Sequence, residues 1–499
     1  MRACRLSAPR RRRGALALAT VLLLAAGPVR ADTQDAATLE KQLHDWLAAV
    51  LGPRVKLGDR PIQLTPQDDH FALAVPVSGA LGDSGVTLDG PPFTATLHRL
   101  DDGRWALDNG RLPSPLHITT TLPKGPAEWT TTLEDQDQHA AIDPTLAATS
   151  TWDGSVGHSL TVWHGPDGER RSEASQVRTH VAVQPAGDGR VNVSETATSE
   201  LVASNAKMDK FGVTSFSAGR TLFTSHVDRL APDRLPALLQ ALFDLAPMAA
   251  DAAKETTATG QAPKTKMTPQ ARADLERFLD AVDDLLVGFG ERVHFENVHA
   301  HSGNYDVAMK ALDAGSSAAA PEGRLRLQIH LAVDGFDSGA LPEGKLREYV
   351  PHHFVLTQSI GGVSAAETMA LLRHAVASNG DDAALTDEGD ALLRHGPLAV
   401  RIDELSSDFG PAKLSASGEV NVAGSDTYTG RARIRVTGLD AVIADAQDDP
   451  MLKQSLPFLI VLKGIGQTEG EATVWHVLYD GKRLTVNGND LSQMLGGKK

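Results

Sequence analysis

Cysteine is almost missing from this chain. Cys4 is the only one in 499 residues. It lies inside the N-terminal leader described below, so the chain left after that leader can form no disulfide and offers no thiolate nucleophile or metal ligand. Aromatic residues are sparse at 5%, which suits long, thin β structure better than a dense enzyme core. Positive charge is also short: 48 Lys and Arg stand against 63 Asp and Glu, a net −15. Such a surface excludes nucleic acid or anionic lipid headgroups as general electrostatic partners. Catalytic signatures are absent too. There is no Gly-x-Ser-x-Gly elbow, no Ser-x-x-Lys box with its companions, no His-Glu-x-x-His pair and no phosphate-binding glycine loop. Gly464-Ile465-Gly466 is too short and wrongly placed to be one.

The first residues read as an address. Arg2, Arg5 and Arg10 to Arg13 precede the apolar run Gly14–Ala26, and Val29-Arg30-Ala31 offers small residues at the two recognition positions of a cleavage site. The apolar run is shorter than the roughly 20 residues that cross a bilayer, so residues 1–31 are expected to be a cleaved secretory signal peptide. Loss of its seven arginines takes the net charge from −15 to −22 and leaves 468 residues. That is enough for two or three domains with sizeable cores. The expected compartment is the periplasm, with no integral membrane segment once the signal is removed.

What the chain has in quantity is period-two alternation. Leu325, Leu327, Ile329 and Leu331 alternate with Arg324, Arg326, Gln328 and His330. Leu414, Ala416, Val420 and Val422 alternate with Lys413, Ser415, Glu419 and Asn421, and Ala432, Ile434 and Val436 with Arg431, Arg433 and Arg435. One apolar and one polar face means strands half buried in antiparallel sheets. Short strands are expected over Val86–Leu88, Phe93–Leu100, Trp105–Leu107 and Leu116–Thr121. Asp-Gly pairs at 102–103, 153–154, 167–168, 188–189, 334–335 and 480–481 read as hairpin turns, because such turns need positive φ.

Helical spacing is rarer. It appears over residues 36–51, over Leu235–Phe243 and over Leu275–Leu286, the last opened by Thr268-Pro269, with a flexible loop expected over Ala249–Lys266. It returns over residues 364–377, where Ser364 and Glu367 fit a capping box, and over residues 439–465. There Asp449-Pro450 reads as a second helix start, and Pro457 is expected to kink or interrupt that helix. The expected fold is α+β and predominantly β: large antiparallel twisted sheets with a few covering helices, in an order that suggests two related halves meeting near residue 290. The expected divisions are the signal peptide 1–31, a β-rich region 32–226 with a leading helix, a central helix pair 227–290, and a β-rich domain 291–499 with covering helices.

Few residues suggest chemistry. His294, His299 and His301, with Glu296 nearby, form the most metal-like cluster. On a regular strand His299 and His301 share a face, while His294 has the opposite parity and needs a bend or bulge to join them. Solvated or edge-strand histidines are the favoured reading. His352-His353 is weaker, since adjacent strand residues face opposite ways, and Asp283-Asp284 and Asp448-Asp449 fit helix surfaces or caps. No catalytic, cofactor-binding or metal residue is assigned. The run Leu456, Phe458, Leu459, Ile460, Val461 and Leu462 is the most apolar after the leader, and it reads as a core element in preference to a lipid-contacting one.

The ending carries a resemblance. Gly418-Glu419-Val420-Asn421-Val422, Gly430–Val436, Gly438-Leu439-Asp440, Gly470–Leu478, Asp480-Gly481 and Leu484–Gly488 follow one another as sheet, helix and closing sheet. This pattern resembles the uncharacterised exported bacterial DUF2125 family and, more loosely, DUF945 and the AsmA-like periplasmic proteins. The resemblance implies no catalytic residues. Through the AsmA-like proteins it implies an envelope role and a β groove that handles lipid. The reading that follows is an exported, non-enzymatic envelope protein that binds a lipid or other apolar ligand. The alternatives are a structural or protein-interaction module of the periplasm with a closed core and, third, a metal-dependent hydrolase built on His294, His299 and His301.

Overall fold

Alternation of apolar and polar residues becomes antiparallel pairing along most of the chain. In the computed structural model the described residues are 40–41, 55–56 and 62–492, the last with breaks of which the longest is 246–266. The expected signal peptide, most of the helix over 36–51 and the loop over Ala249–Lys266 lie outside them. Glu40 and Lys41 are helical. The fold is α+β and predominantly β, as the alternation implies. Two compact units are present, one within residues 1–166, 176–196 and 229–261, the other within 167–175, 197–228 and 262–499. The helical stretch 235–242 belongs to the first unit and the helix that begins at Pro269 to the second.

The first unit is organised on one long hairpin. Its strands are β1 (Val55–Lys56), β2 (Gln63–Gln67), β3 (His70–Val75), β4 (Gly79–Leu81), β5 (Thr87–Asp89), β6 (Phe93–Arg99), β7 (Trp105–Arg111), β8 (Leu116–Leu122), β9 (Gly125–Asp143) and β10 (Ala148–Gly165). β9 pairs with β10 from Asp143↔Ala148 to Glu128↔His164. Its other edge takes two short strands end to end, β8 along Gly125–Thr131 and β7 at Ala140–Ile142. β7 leads on to β6, β3 and β2, and β8 to β5, β4 and β1. Between β7 and β8 the backbone leaves the ladder, and side chains make the missing bonds. The buried Gln136 amide accepts from Leu112 N at 2.9 Å and donates to Leu112 O at 3.1 Å, and Ser114 Oγ accepts from Leu133 N at 2.8 Å. A buried glutamine is tolerated because its carboxamide has the same donor and acceptor as a peptide group. Leu73, Leu97, Trp105, Leu107, Ile142 and Trp152 are buried in this unit.

Two sequence expectations change here. The strands from Gly125 onward are far longer than the Asp-Gly spacing implies, with 19 residues in β9 and 18 in β10. Asp153-Gly154 is no turn; it sits inside β10 opposite His139 and Gln138. The glycine serves close approach instead, since a Cβ there would collide with the Gln138 side-chain oxygen. Asp188-Gly189 does turn. Both residues have positive φ, 54° and 72°, between β11 (Gly168–Gly187) and β12 (Arg190–Ser199).

The second unit is a long meander. β11 pairs through Gly168–Ser175 with β13 (Leu201–Met208), and β13 with β14 (Gly212–Ala218). β14 and β15 (Thr221–Leu230) share one edge of β16 (Gly288–Ser302). Beyond it come β17 (Tyr305–Ala319), β18 (Arg324–Asp334), the short β19 (Asp337–Ser338), β20 (His353–Ser364), β21 (Leu398–Phe409), β22 (Ala412–Gly424) and β23 (Thr427–Thr437). β24 (Gln467–Glu469), β25 (Ala472–Tyr479), β26 (Leu484–Val486) and β27 (Asn489–Asp490) close the series. The main ladder runs β16, β17, β18, β20, β21, β22, β23, β25, each antiparallel to the next.

The helices of this unit are α1 (Pro269–Val282), α2 (Lys345–Glu348), α3 (Ala365–Ala377), α4 (Asp382–His395), α5 (Leu439–Asp448) and α6 (Leu456–Ile465). Thr268 caps α1 by accepting from Ala271 N at 3.1 Å, and Ser364 caps α3 by accepting from Glu367 N at 3.3 Å. α4 and β20 have no counterpart in the sequence reading: Gly389 and four acids blur the helix, and Gly361-Gly362 the strand. The second C-terminal helix also starts later than Asp449-Pro450 implies. Asp449 N donates to Asp445 O at 2.9 Å, ending α5, and a 3₁₀ turn over Lys453–Ser455 follows. Pro457 then falls in the first turn of α6, where no backbone N–H is required, so it starts the helix and does not kink it.

α5 and α6 cover the β22–β25 end of the sheet. Val436, Leu439, Val442, Trp475 and Val486 are buried together, and Leu459, Leu462 and Ile465 pack against them from α6. Trp475 Nε1 donates to Leu462 O at 2.9 Å. Tyr349 Oη donates to Asp445 Oδ2 at 2.7 Å; burial, then that carboxylate, push the phenol pKa well above its ordinary value. The apolar run is therefore two-sided, for Phe458 and Ile460 are 66% and 53% exposed. Leu462→Asp should lower stability by about 2–4 kcal/mol by placing a charge in the core, and F458D or I460D by less than about 1 kcal/mol. Urea-unfolding midpoints distinguish these; equal losses would contradict the two-sided assignment.

Candidate functional site

Cross-strand register lays apolar side chains in rows over one face of the second unit. One row runs Phe289, Ala318, Leu327, Ile360, Val400, Val420 from β16 to β22, each residue directly opposite the next. It continues through Gly430 on β23 to Tyr479 on β25. A parallel row runs Val293, Ala314, Leu331, Leu356, Leu405, Ala416, Ile434, Trp475. Ile402 and Leu405 can share this face only because the ladder slips at Asp403, between Ile402↔Gln358 and Glu404↔Thr357. The second row passes under the α5–α6 cover at its Trp475 end. Of the first row, Phe289, Leu327 and Val420 are 43–48% exposed, and Ile329 and Ile402 beside it on the same face are 56% and 38% exposed. With strands about 4.8 Å apart, the seven steps from Phe289 to Tyr479 span about 34 Å.

The opposite face is polar, and the histidines lie on it. Asp313 accepts from Arg292 Nε at 2.7 Å and sits 3.3 Å from His294 Nδ1 and 3.7 Å from His330 Nε2. The Asp313 hydrogen bond is the main cause that raises the Arg292 pKa. His301 Nδ1 is 2.6 Å from Asp306 Oδ1. The bend that a common face for the three histidines requires is present. Asn297 lies between His294 and His299 at φ 53°, and opposite it the chain breaks at Gly219-Arg220, where Gly219 N donates to Glu296 O at 2.8 Å. Phe216, paired opposite Ala300, makes an edge-to-face contact with Phe295 at 5.6 Å. Unbroken alternation would put those two rings on opposite faces, so the alternation slips by one at Asn297. The slip sends His299 and His301 to the side of His294.

A shared face is not a shared site. His294 and His301 each engage a different carboxylate, and among the described residues no three His, Cys, Asp or Glu side chains converge as metal ligands. His299 and His301 line a depression of about 370 Å³ with Ser215, Ser217, Asp306 and Asp337; His294 does not. His352 Nδ1 lies 3.0 Å from Phe336 O, and His353 Nδ1 3.8 Å from Asp334 Oδ1. Asp283 holds Arg373 at 2.8 Å between α1 and α3. The continuous apolar row is the candidate site that alternation alone does not show, because it depends on which residues stand opposite each other.

No protein family, curated protein or solved structure matches this chain in the comparisons made. The class that fold and site define is thus a predominantly β, α+β protein with an uncovered apolar sheet face. Among the described residues no helix is long and apolar enough to cross a membrane.

Two measurements test this geometry. Asn297→Ala should cost about 1–2 kcal/mol, the penalty of a Cβ without a compensating local hydrogen bond at positive φ, while N297G should cost much less; equal effects on chemical unfolding would refute the slip. His139, in the first unit, has a raised pKa, first from its bond to Asp108 at 2.7 Å and then from Asp137. A raised folded pKa means stabilisation fully present below the ordinary histidine value and lost as pH rises through the folded one. The stability gap between the native chain and H139Q should therefore be larger at pH 5.5 than at pH 8.

Proposed function

We propose that this chain is an exported, non-enzymatic envelope protein that binds a lipid hydrocarbon chain along the open face of its second unit. The observation that carries the reading is the row from Phe289 to Val420, apolar on six adjacent strands, with Phe289, Leu327 and Val420 left 43–48% exposed. A contiguous exposed apolar surface of this kind marks a binding site more often than an accident of folding. The leader composition supports export, and the absence of catalytic motifs supports binding over turnover. The energetics are adequate. Covering about 300 Å² on each partner contributes about 15 kcal/mol, against an association cost of about 4–15 kcal/mol. One acyl chain, about half of a 30 Å hydrocarbon core, occupies less than half of the row.

Native mass spectrometry of protein purified from its own envelope should show co-purifying lipid, and apolar dyes should brighten on binding. The double variant L327D/I329D should remain folded, since both side chains are half exposed, and should lose lipid and dye. A native protein that carries no lipid and leaves the dyes dark would sink the proposal. In-cell crosslinks from this face to protein alone would favour the structural module instead.

A further inference from the structure

The apolar row does not end as it begins. At the β16 edge it starts with Phe289, opposite Val227 on β15. Toward the other edge it reaches two tyrosines, with Leu484 on β26 opposite Tyr479. Tyr479 stands opposite Gly430, and Tyr428 opposite Val422, so both phenols belong to the apolar face. Their rings stack at 5.1 Å with an interplanar angle of 19°. Gly430 contributes no side chain between Val420 and Tyr479, which leaves a notch in the row beside the ring pair. Interaction with the Tyr428 hydroxyl is the main cause that raises the Tyr479 pKa. Two hydroxyls that meet each other still leave one proton free to donate outward.

The turn that follows adds charge. Asp480 is occupied by Arg483, whose guanidinium lies 3.3 Å away. Lys482 is exposed, and its ammonium pairs with no acid among the described residues. The turn is held against the tyrosines, since a Cβ on Gly481 would lie 3.5 Å from the Tyr428 carbonyl oxygen. An amphipathic ring pair at the boundary of apolar and wet surface, next to an unpaired cation, has the chemistry of a headgroup site. The charge is local and does not alter the acidic character of the whole surface.

We infer that Tyr428, Tyr479 and Lys482 bind the anionic oxygen head of an amphiphile whose hydrocarbon chain lies along the row toward Phe289. This rests on the apolar-ligand reading and adds polarity and direction to it. The head is a carboxylate or a phosphate, which share the chemistry recognised here.

Binding of dodecanoate, dodecyl phosphate and dodecanol to the full chain, by calorimetry or dye displacement, tests the assignment. Both anions should bind at least about tenfold more tightly than the alcohol, the worth of one hydrogen bond to a charged group. The triple variant Y428F/Y479F/K482Q should lose that preference while its affinity for dodecanol stays unchanged, which also reports an intact fold. L327D/I329D should weaken all three ligands. A stronger gain for one anion names the headgroup source. Native protein that holds acid and alcohol equally, or a triple variant that keeps the preference, would overturn the headgroup site and leave the apolar-ligand reading standing. Failure to bind any of the three would overturn both.

Discussion

A sheet with one apolar face must cover that face or offer it to something else. The second unit does both. α5 and α6 roof the β22–β25 end, where Trp475, Val436 and Leu439 are buried, while Leu327 on β18 and Val420 farther along β22 stay exposed. The strand register decides which residues are roofed. Because each residue's cross-strand partner is fixed by backbone hydrogen bonds, one misplaced step would carry every apolar side chain of a strand to the polar side.

Irregular positions protect that register. Asn297 with the Gly219-Arg220 break turns β16 over by one residue, so that Val298 and Ala218 bury alongside Phe295 and Phe216. The slip at Asp403 does the same for Leu405. In the first unit Gln136 and Ser114 stand in for a missing stretch of strand between β7 and β8. These devices keep apolar rows continuous across many strands, and a continuous row is what a long hydrocarbon ligand would need.

The polar face shows how such a surface is stabilised without becoming a catalytic site. Arg292, His294 and His330 gather on Asp313, and farther along Arg401 donates to Glu419 at 2.8 Å and Arg433 to Glu469. Opposite charges on neighbouring strands satisfy one another at modest gain. The histidine cluster that looks metal-like in sequence lies on this face, with His294 and His301 on separate carboxylates.

The sequence by itself determined the class of fold, the strands of the last hundred residues, the caps at Thr268 and Ser364 and the polar character of the histidine strand. These are local properties, fixed by alternation and by side chains that bond within one turn. It could not show that Asp153-Gly154 is strand interior, that Pro457 opens α6, or that Asp382–His395 is helical, since each depends on a neighbour remote in sequence or on packing. The open row from Phe289 to Tyr479 was decided by the tertiary structure alone. It draws its members from eight strands spread over almost two hundred residues, and only the hydrogen-bonded register makes them neighbours.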